Sequence, residues 1–146
     1  MPNVLSGVAI VLLLSFSAPA PGFSQPESSE LATKAFFAGK QLLVTYREGG
    51  PLYGTFFFLN VHFCRSGHYM TFGESRRHTI LDNEQVNKFS DRGLWEIATF
   101  QGQVVLKYSS VFGQSNSVPV RVLPTGGVWM GEGVSAVRQG AAQCQN

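Results

Sequence analysis

The sequence lacks a strong charge of either sign. Its 146 residues carry 11 basic and 9 acidic side chains, and the net charge of +2 is spread evenly, without an acidic or basic tail. Proteins that bind nucleic acids usually concentrate Lys and Arg on one face or in one segment. The composition therefore predicts no nucleic-acid partner.

Charged residues are also missing from the beginning of the chain. Residues 3–18 (NVLSGVAIVLLLSFSA) contain none, and the apolar centre at 8–16 is too short to span a bilayer comfortably but suits a secretory signal. Small residues follow, and cleavage after Ser24 leaves Gln25 at the new terminus. We predict a signal peptide over 1–24, a secreted or periplasmic protein, and no stable membrane anchor after cleavage. An uncleaved membrane anchor is the alternative.

Cysteine is scarce, because only Cys64 and Cys144 occur in the chain. A lipid anchor requires a cysteine directly after the apolar run, and none occurs there. The paired cysteines of strong zinc patterns are also missing. In an exported chain two cysteines are expected to pair. Cys144 lies in the tail GAAQCQN, which has no apolar row to hold it against the domain. We therefore predict a Cys64–Cys144 disulfide that ties this tail to a strand.

After the signal, the chain shows one helical segment and then repeated strand signals. Residues 25–39 predict a polar linker and a short helix, capped by Ser28 or Ser29 and ended by Gly39. From 40 to 146, short apolar runs alternate with tight turns, which is typical of an all-β antiparallel meander of about eight strands, closed as a barrel or sandwich. The predicted strands are 41–47, 52–64, 68–72, 94–100, 103–109, 117–123 and 128–138, with one or two short strands around 77–81 and 85–89.

The long predicted strand at 52–64 differs between its two faces. Every second residue from Phe57 to Phe63 is apolar, whereas the opposite row ends in His62 and Cys64. Successive side chains of a strand point to opposite faces. We therefore expect the first row to face the interior, and His62 and Cys64 to face outward or toward a neighbouring segment.

The predicted interior is rich in aromatic side chains. A barrel of eight strands is either filled by its own side chains or holds one small ligand. The inward aromatic residues that we expect to line such a ligand site are Phe57, Phe63, Trp95 and Tyr108.

The stretch FCRSGHYM (63–70) brings several reactive side chains together. His62, Cys64 and His68 could meet across a turn, with His78 as a possible fourth metal ligand, but spacing of this kind is weak evidence for zinc. A nucleophilic cysteine needs a base and a group that orients the base. A hairpin turn with a structural disulfide accounts for more of these residues. We therefore assign no catalytic residue, metal site or cofactor.

The order FFFLNVHFCRSGHYMTF, GLWEI, GQVVLKY and a final hairpin resembles small exported bacterial domains of lipocalin-like type. In these domains an apolar strand ends in a cysteine and a Ser/Asp-Gly turn, and a later Gly-x-Trp opens another strand. The resemblance covers roughly residues 38–138 and implies a barrel fold and an exported location, without a particular mechanism. The matching positions are Cys64, Ser66, Gly67, Gly93 and Trp95.

These features together predict an exported, non-catalytic β-barrel module that binds a small apolar or amphipathic ligand. Two alternatives stay open. One is a protein-interaction domain that uses its outer face, indicated by the apolar pair Phe56 and Phe58 on the nominally outward row. The other is an exported enzyme or metal-binding protein that uses His62 and His68.

Overall fold

The computed structural model describes residues 26–50, 53–78 and 84–145, with side chains from residue 29 onward. The predicted signal peptide lies outside the described residues. Within them, one helix precedes nine strands, all of which belong to one sheet. The elements are α1 (Pro26–Phe37), β1 (Lys40–Gly49), β2 (Gly54–Phe63), β3 (His68–His78), β4 (Gln85–Phe100), β5 (Gln103–Ser110), β6 (Ser115–Pro119), β7 (Arg121–Val122), β8 (Val128–Trp129) and β9 (Ser135–Ala141).

The strands form a nearly closed antiparallel barrel. Their order in the sheet is β6-β5-β4-β3-β2-β1-β9-β8-β7, so each strand from β1 to β5 pairs with the next one in sequence, and β9 returns to pair with β1. The two ends of the sheet, β6 and β7, are consecutive in sequence, and only Val120 separates them. The predicted all-β meander with one short amino-terminal helix is confirmed.

The middle of the chain differs from the sequence prediction. Instead of short strands around 77–81 and 85–89, β3 continues to His78 and β4 is a single strand of 16 residues. The two strands pair without interruption from His68↔Leu94 to Arg77↔Gln85. Residues 85 to 90 are all exposed, and the sequence here shows little of the apolar alternation that marks a half-buried strand. Backbone hydrogen bonding to β3 therefore extends the strand where side-chain burial does not.

The last predicted strands are shorter than expected. The segment 117–123 is divided at Val120, whose N–H donates to the Val104 carbonyl at 3.0 Å, and the segment 128–138 is divided between β8 and β9. Gly131 and Gly133 lie in this second division with φ values of 115° and 72°. Side chains other than glycine rarely adopt such backbone angles. These glycines therefore divide the segment that the sequence analysis predicts as one strand, 128–138.

Helix α1 closes one end of the barrel. The side chain of Phe37 is fully buried, and its ring centroid lies 5.0 Å from that of Phe63 and 6.4 Å from that of Trp95. The helix begins at Pro26, before the predicted serine cap, because proline is favourable in a first helical turn. Gly39, with φ 73°, ends it as predicted, and its N–H donates to the Phe63 carbonyl at 2.7 Å.

At the other end of the barrel, the strands of the described residues leave the wall incomplete. β5 pairs with β4 only from Gly93 to Phe100, and β9 pairs with β1 only from Lys40 to Thr45. Beyond these limits β1 to β4 continue as four paired strands. We call residues 46–49, 54–58, 74–78 and 85–92 the projecting sheet. The inner face of this sheet is the side that continues the barrel core, and the outer face is the opposite side.

Candidate ligand-binding site

Two of the four predicted ligand-binding residues fill the end of the barrel that α1 closes. Phe63 and Trp95 are buried, with ring centroids 5.3 Å apart, and both pack against Phe37. The indole Nε1–H of Trp95 donates to the Cys64 carbonyl at 3.0 Å. These contacts fix both rings as part of the packed core.

The other two predicted residues are half-buried. Phe57 stacks on Tyr46, with centroids 4.7 Å apart and an interplanar angle of 8°, whereas Tyr108 meets the ring of Tyr69 edge-on at 6.0 Å. Burial raises the pKa of Tyr46 above its ordinary value. The electrostatic effects of Glu48 and, to a smaller extent, of Tyr108 raise this pKa further. The structure therefore separates the four residues into a packed pair and two more accessible rings.

The inner face of the projecting sheet adds an aromatic side chain that the sequence analysis missed. Phe89 pairs with Gly73 in the β3–β4 register, and a Cβ at Gly73 would collide with the Phe89 ring. The ring therefore packs directly over the glycine, next to Leu59 of the core. It is nevertheless 41% exposed. An apolar ring thus lies on the inner face and remains accessible to solvent.

A carboxylate and two hydroxyl groups form a polar cluster farther along the inner face. Asp91 accepts hydrogen bonds from the Tyr69 hydroxyl at 2.7 Å, the Ser110 hydroxyl at 2.6 Å and the Arg92 N–H at 2.8 Å. Burial alone would raise the pKa of Asp91, but these three hydrogen bonds outweigh it and hold the pKa below its ordinary value. Burial and the bond to Asp91 raise the pKa of Tyr69. Near neutral pH the cluster therefore holds an ionised Asp91 and a protonated Tyr69.

Polar and charged side chains surround the turn between β1 and β2 at the open end. A cavity of about 270 Å³ lies there between Glu48, Tyr53, Thr55 and Arg77. Glu48 and Thr55 are register partners, and so are Thr55 and Arg77, so these three residues share the inner face of the projecting sheet. The aromatic surface of the inner face is therefore bordered by groups of both charges.

Sequence signals for this open end differed in strength. Leu42, Val44 and Tyr46 alternate along β1, so the parity rule that selected Phe57 would also have placed Tyr46 inside. Phe89 offered no such signal, because it is a single aromatic residue in the polar stretch VNKFSD. Its inner position depends on the register between β3 and β4.

The stretch around Cys64 is a hairpin held by a disulfide, as predicted. Cys64 is bonded to Cys144 with the two Cα atoms 5.8 Å apart. The tail that this bond holds covers His62, which is 5% exposed, and the Gln143 N–H donates to His62 Nδ1 at 3.0 Å. Burial lowers the pKa of His62. His62 thus faces a neighbouring segment, which is one of the two positions predicted for it.

His68 has different neighbours from His62. It is exposed, and its Nδ1 lies 3.2 Å from the Ser66 hydroxyl. Across the described ranges, His, Cys, Asp and Glu side chains form no group of three that could hold a metal ion. No helix in the same ranges is long and apolar enough to cross a membrane.

The outer face also presents apolar side chains. Phe56 is 37% exposed, and the guanidinium of Arg47 lies 5.1 Å from its ring centroid. Arg76 covers the neighbouring Phe58 in the same way at 5.2 Å. Both rings of the predicted apolar pair are therefore partly covered by a cation.

Comparisons with models of protein families, with curated proteins and with solved structures find no match for this chain. Its function is therefore inferred from its own fold and side chains.

Proposed function

We propose that the protein is an exported, non-catalytic module that binds a small amphipathic ligand at the open end of its barrel. The observation that carries this proposal is the accessible aromatic surface of the inner face, formed by Tyr46, Phe57 and Phe89. Export is supported by the uncharged apolar run near the amino terminus and by the disulfide, since disulfides persist in oxidising compartments.

The expected ligand combines an apolar part with a polar group. Binding sites for small molecules are mostly apolar, with a few polar groups that set the orientation. The stacked pair of Tyr46 and Phe57 offers apolar ring surface, and Phe89 adds an exposed ring on the same face. Glu48 and Arg77 lie on the same face at the rim, where they can contact a polar end of the ligand.

The polar cluster supports a role without catalysis. A general acid or base works best when its pKa lies near the operating pH. Asp91 is held ionised and its oxygens are occupied by hydrogen bonds, whereas the pKa of Tyr69 is moved farther from neutrality. The cluster is suited to holding β3, β4 and β5 together rather than to transferring protons.

The test is titration of the oxidised protein with 1-anilinonaphthalene-8-sulfonate, an apolar ring system with an anionic group. We expect saturable binding that Phe57→Ala and Phe89→Ala each weaken roughly two- to tenfold, as expected for the loss of one aromatic contact. The matched control is Phe100→Ala, because Phe100 is 58% exposed at the opposite end of β4. Equal binding by all four proteins, or an equal loss in the control, would contradict the proposal.

A further inference from the structure

In the part of the chain that the structure describes, one edge of β4 is unpaired along the projecting sheet. β3 pairs with β4 from Gln85 to Leu94, but the pairing with β5 ends at Gly93↔Ser110. One further bond follows, from the Val111 N–H to the Arg92 carbonyl at 2.9 Å. Among the described residues, no strand pairs with this edge before Arg92. Residues 85–90 are all exposed.

Two hydrogen bonds show which backbone groups point to the free edge. The Trp95 N–H donates to the Gly67 carbonyl on the β3 side, whereas the Arg92 carbonyl accepts from Val111 on the β5 side. Backbone groups of a strand alternate in direction with a period of two residues. Val86, Lys88 and Ser90 therefore direct their N–H and C=O groups to the free edge, about 7 Å apart.

The side chains along this edge have different character on the two faces. Lys88 and Arg92 are exposed on the outer face, together with Val86, which is 48% exposed. Phe89 lies on the inner face. An added strand would therefore have two cations beside one of its faces and an aromatic ring beside the other.

We propose that this edge of β4 binds an extended segment of a partner protein by strand addition. Such binding obtains its affinity from main-chain hydrogen bonds and its specificity from alternate side chains. The segment that fits carries acidic residues toward Lys88 and Arg92 and apolar residues toward Phe89. Antiparallel pairing of two copies of this chain that used all three edge N–H groups would place Lys88 opposite its own counterpart, and like charges opposite each other destabilise a sheet.

The test uses a capped seven-residue peptide that alternates valine and glutamate, with a peptide that alternates valine and lysine as its control. Isothermal titration calorimetry of the oxidised protein should show saturable binding of the glutamate peptide and at least tenfold weaker binding of the lysine peptide. The amide NMR signals of Val86, Lys88 and Ser90 should shift on binding, because their N–H groups acquire acceptors.

Substitution at Lys88 separates backbone pairing from charge. Lys88→Pro removes an N–H that is not part of the β3–β4 ladder, and proline is tolerated at such an edge position. We expect it to abolish binding while the thermal midpoint stays within a few degrees. Lys88→Ala keeps the N–H and should weaken binding only a few-fold. Ser90→Pro removes a second edge N–H and replaces Lys88→Pro in this test if that variant does not fold.

Three results would overturn the proposal. The first is the absence of saturable binding by the glutamate peptide. The second is unchanged binding by both proline variants. The third is a concentration-dependent dimer of the free protein that Lys88→Pro dissociates, because the edge would then be occupied by a second copy of the chain.

Discussion

His62 shows how one residue can be buried on the outer row of a strand. Its parity on β2 places it opposite the core-facing row, yet the tail around Gln143 covers it and uses its Nδ1 as a hydrogen-bond acceptor. Protonation of the imidazole would turn this acceptor into a donor. The neutral form is therefore the one that the folded protein favours, which agrees with its lowered pKa.

This burial makes stability depend on pH. Because the pKa of His62 is lower in the folded state than its ordinary value near 6.5, the unfolded state binds the proton more readily. Its contribution to stability is fully present above about pH 6.5 and decreases as the pH falls toward the folded pKa. Thermal unfolding between pH 8 and pH 5 should show a midpoint that falls on the acid side, and His62→Gln should reduce this fall.

His68→Gln is the matched control for the pH experiment. His68 is exposed in the turn next to β3, so its replacement should leave the acid-side fall in the thermal midpoint nearly unchanged. If His62→Gln and His68→Gln gave the same pH profile as the unmodified protein, burial of His62 would not be the cause.

At the scale of elements, α1 closes one end of the barrel and depends on its contacts with the strands for stability. Its Phe37 ring packs between Phe63 of β2 and Trp95 of β4, which are distant in sequence. Glu30 accepts a hydrogen bond from the Thr99 hydroxyl at 2.8 Å and so joins the helix to β4. A helix of 12 residues is marginal alone in water, so these contacts stabilise it.

Phe37→Ala should therefore destabilise the whole barrel. Removal of a fully buried aromatic side chain leaves a cavity, and we expect the free energy of unfolding to fall by about 3–5 kcal/mol. Urea unfolding followed by tryptophan fluorescence measures this change. Leu31→Ala on the same helix removes a side chain that is 68% exposed and should change stability by about 0.5 kcal/mol or less. Comparable losses in the two variants would show that burial of Phe37 in the barrel end is not what stabilises the fold.

At the scale of the whole molecule, a disulfide joins the tail after β9 to the residue that follows β2. The Cys64–Cys144 disulfide spans 80 residues, and these include every strand from β3 to β9. A cross-link over such a long segment restricts the unfolded chain more than a short one does. The tail also contacts the helix end, since the Ala142 N–H donates to the Gly39 carbonyl at 2.9 Å.

We expect the double variant Cys64→Ala/Cys144→Ala to remain folded but to lose about 2–5 kcal/mol of unfolding free energy. Urea unfolding of the oxidised protein, the reduced protein and the double variant measures the loss, and the last two should agree closely. Mass spectrometry without reduction should show the peptides that contain Cys64 and Cys144 linked. An unchanged free energy of unfolding would mean that the disulfide holds the tail without stabilising the barrel.

The sequence by itself determined the features that depend on local patterns. Side-chain alternation placed the row from Phe57 to Phe63 inside, Gly39 ended the helix, and the scarcity of cysteine left a single possible intramolecular pair. These features follow from the strand period, from backbone sterics and from counting, so each can be derived without knowledge of neighbours in space.

Only the tertiary structure decided which aromatic rings are packed and which are accessible. Phe63 and Trp95 have the same alternation signal as Phe57, but α1 covers them and leaves Phe57 at the open end. The polar first half of β4 is a strand because β3 lies beside it, and within the described residues its other edge is unpaired because β5 ends at Ser110. Strand formation and burial depend on cross-strand neighbours, and these neighbours are set by register and strand order.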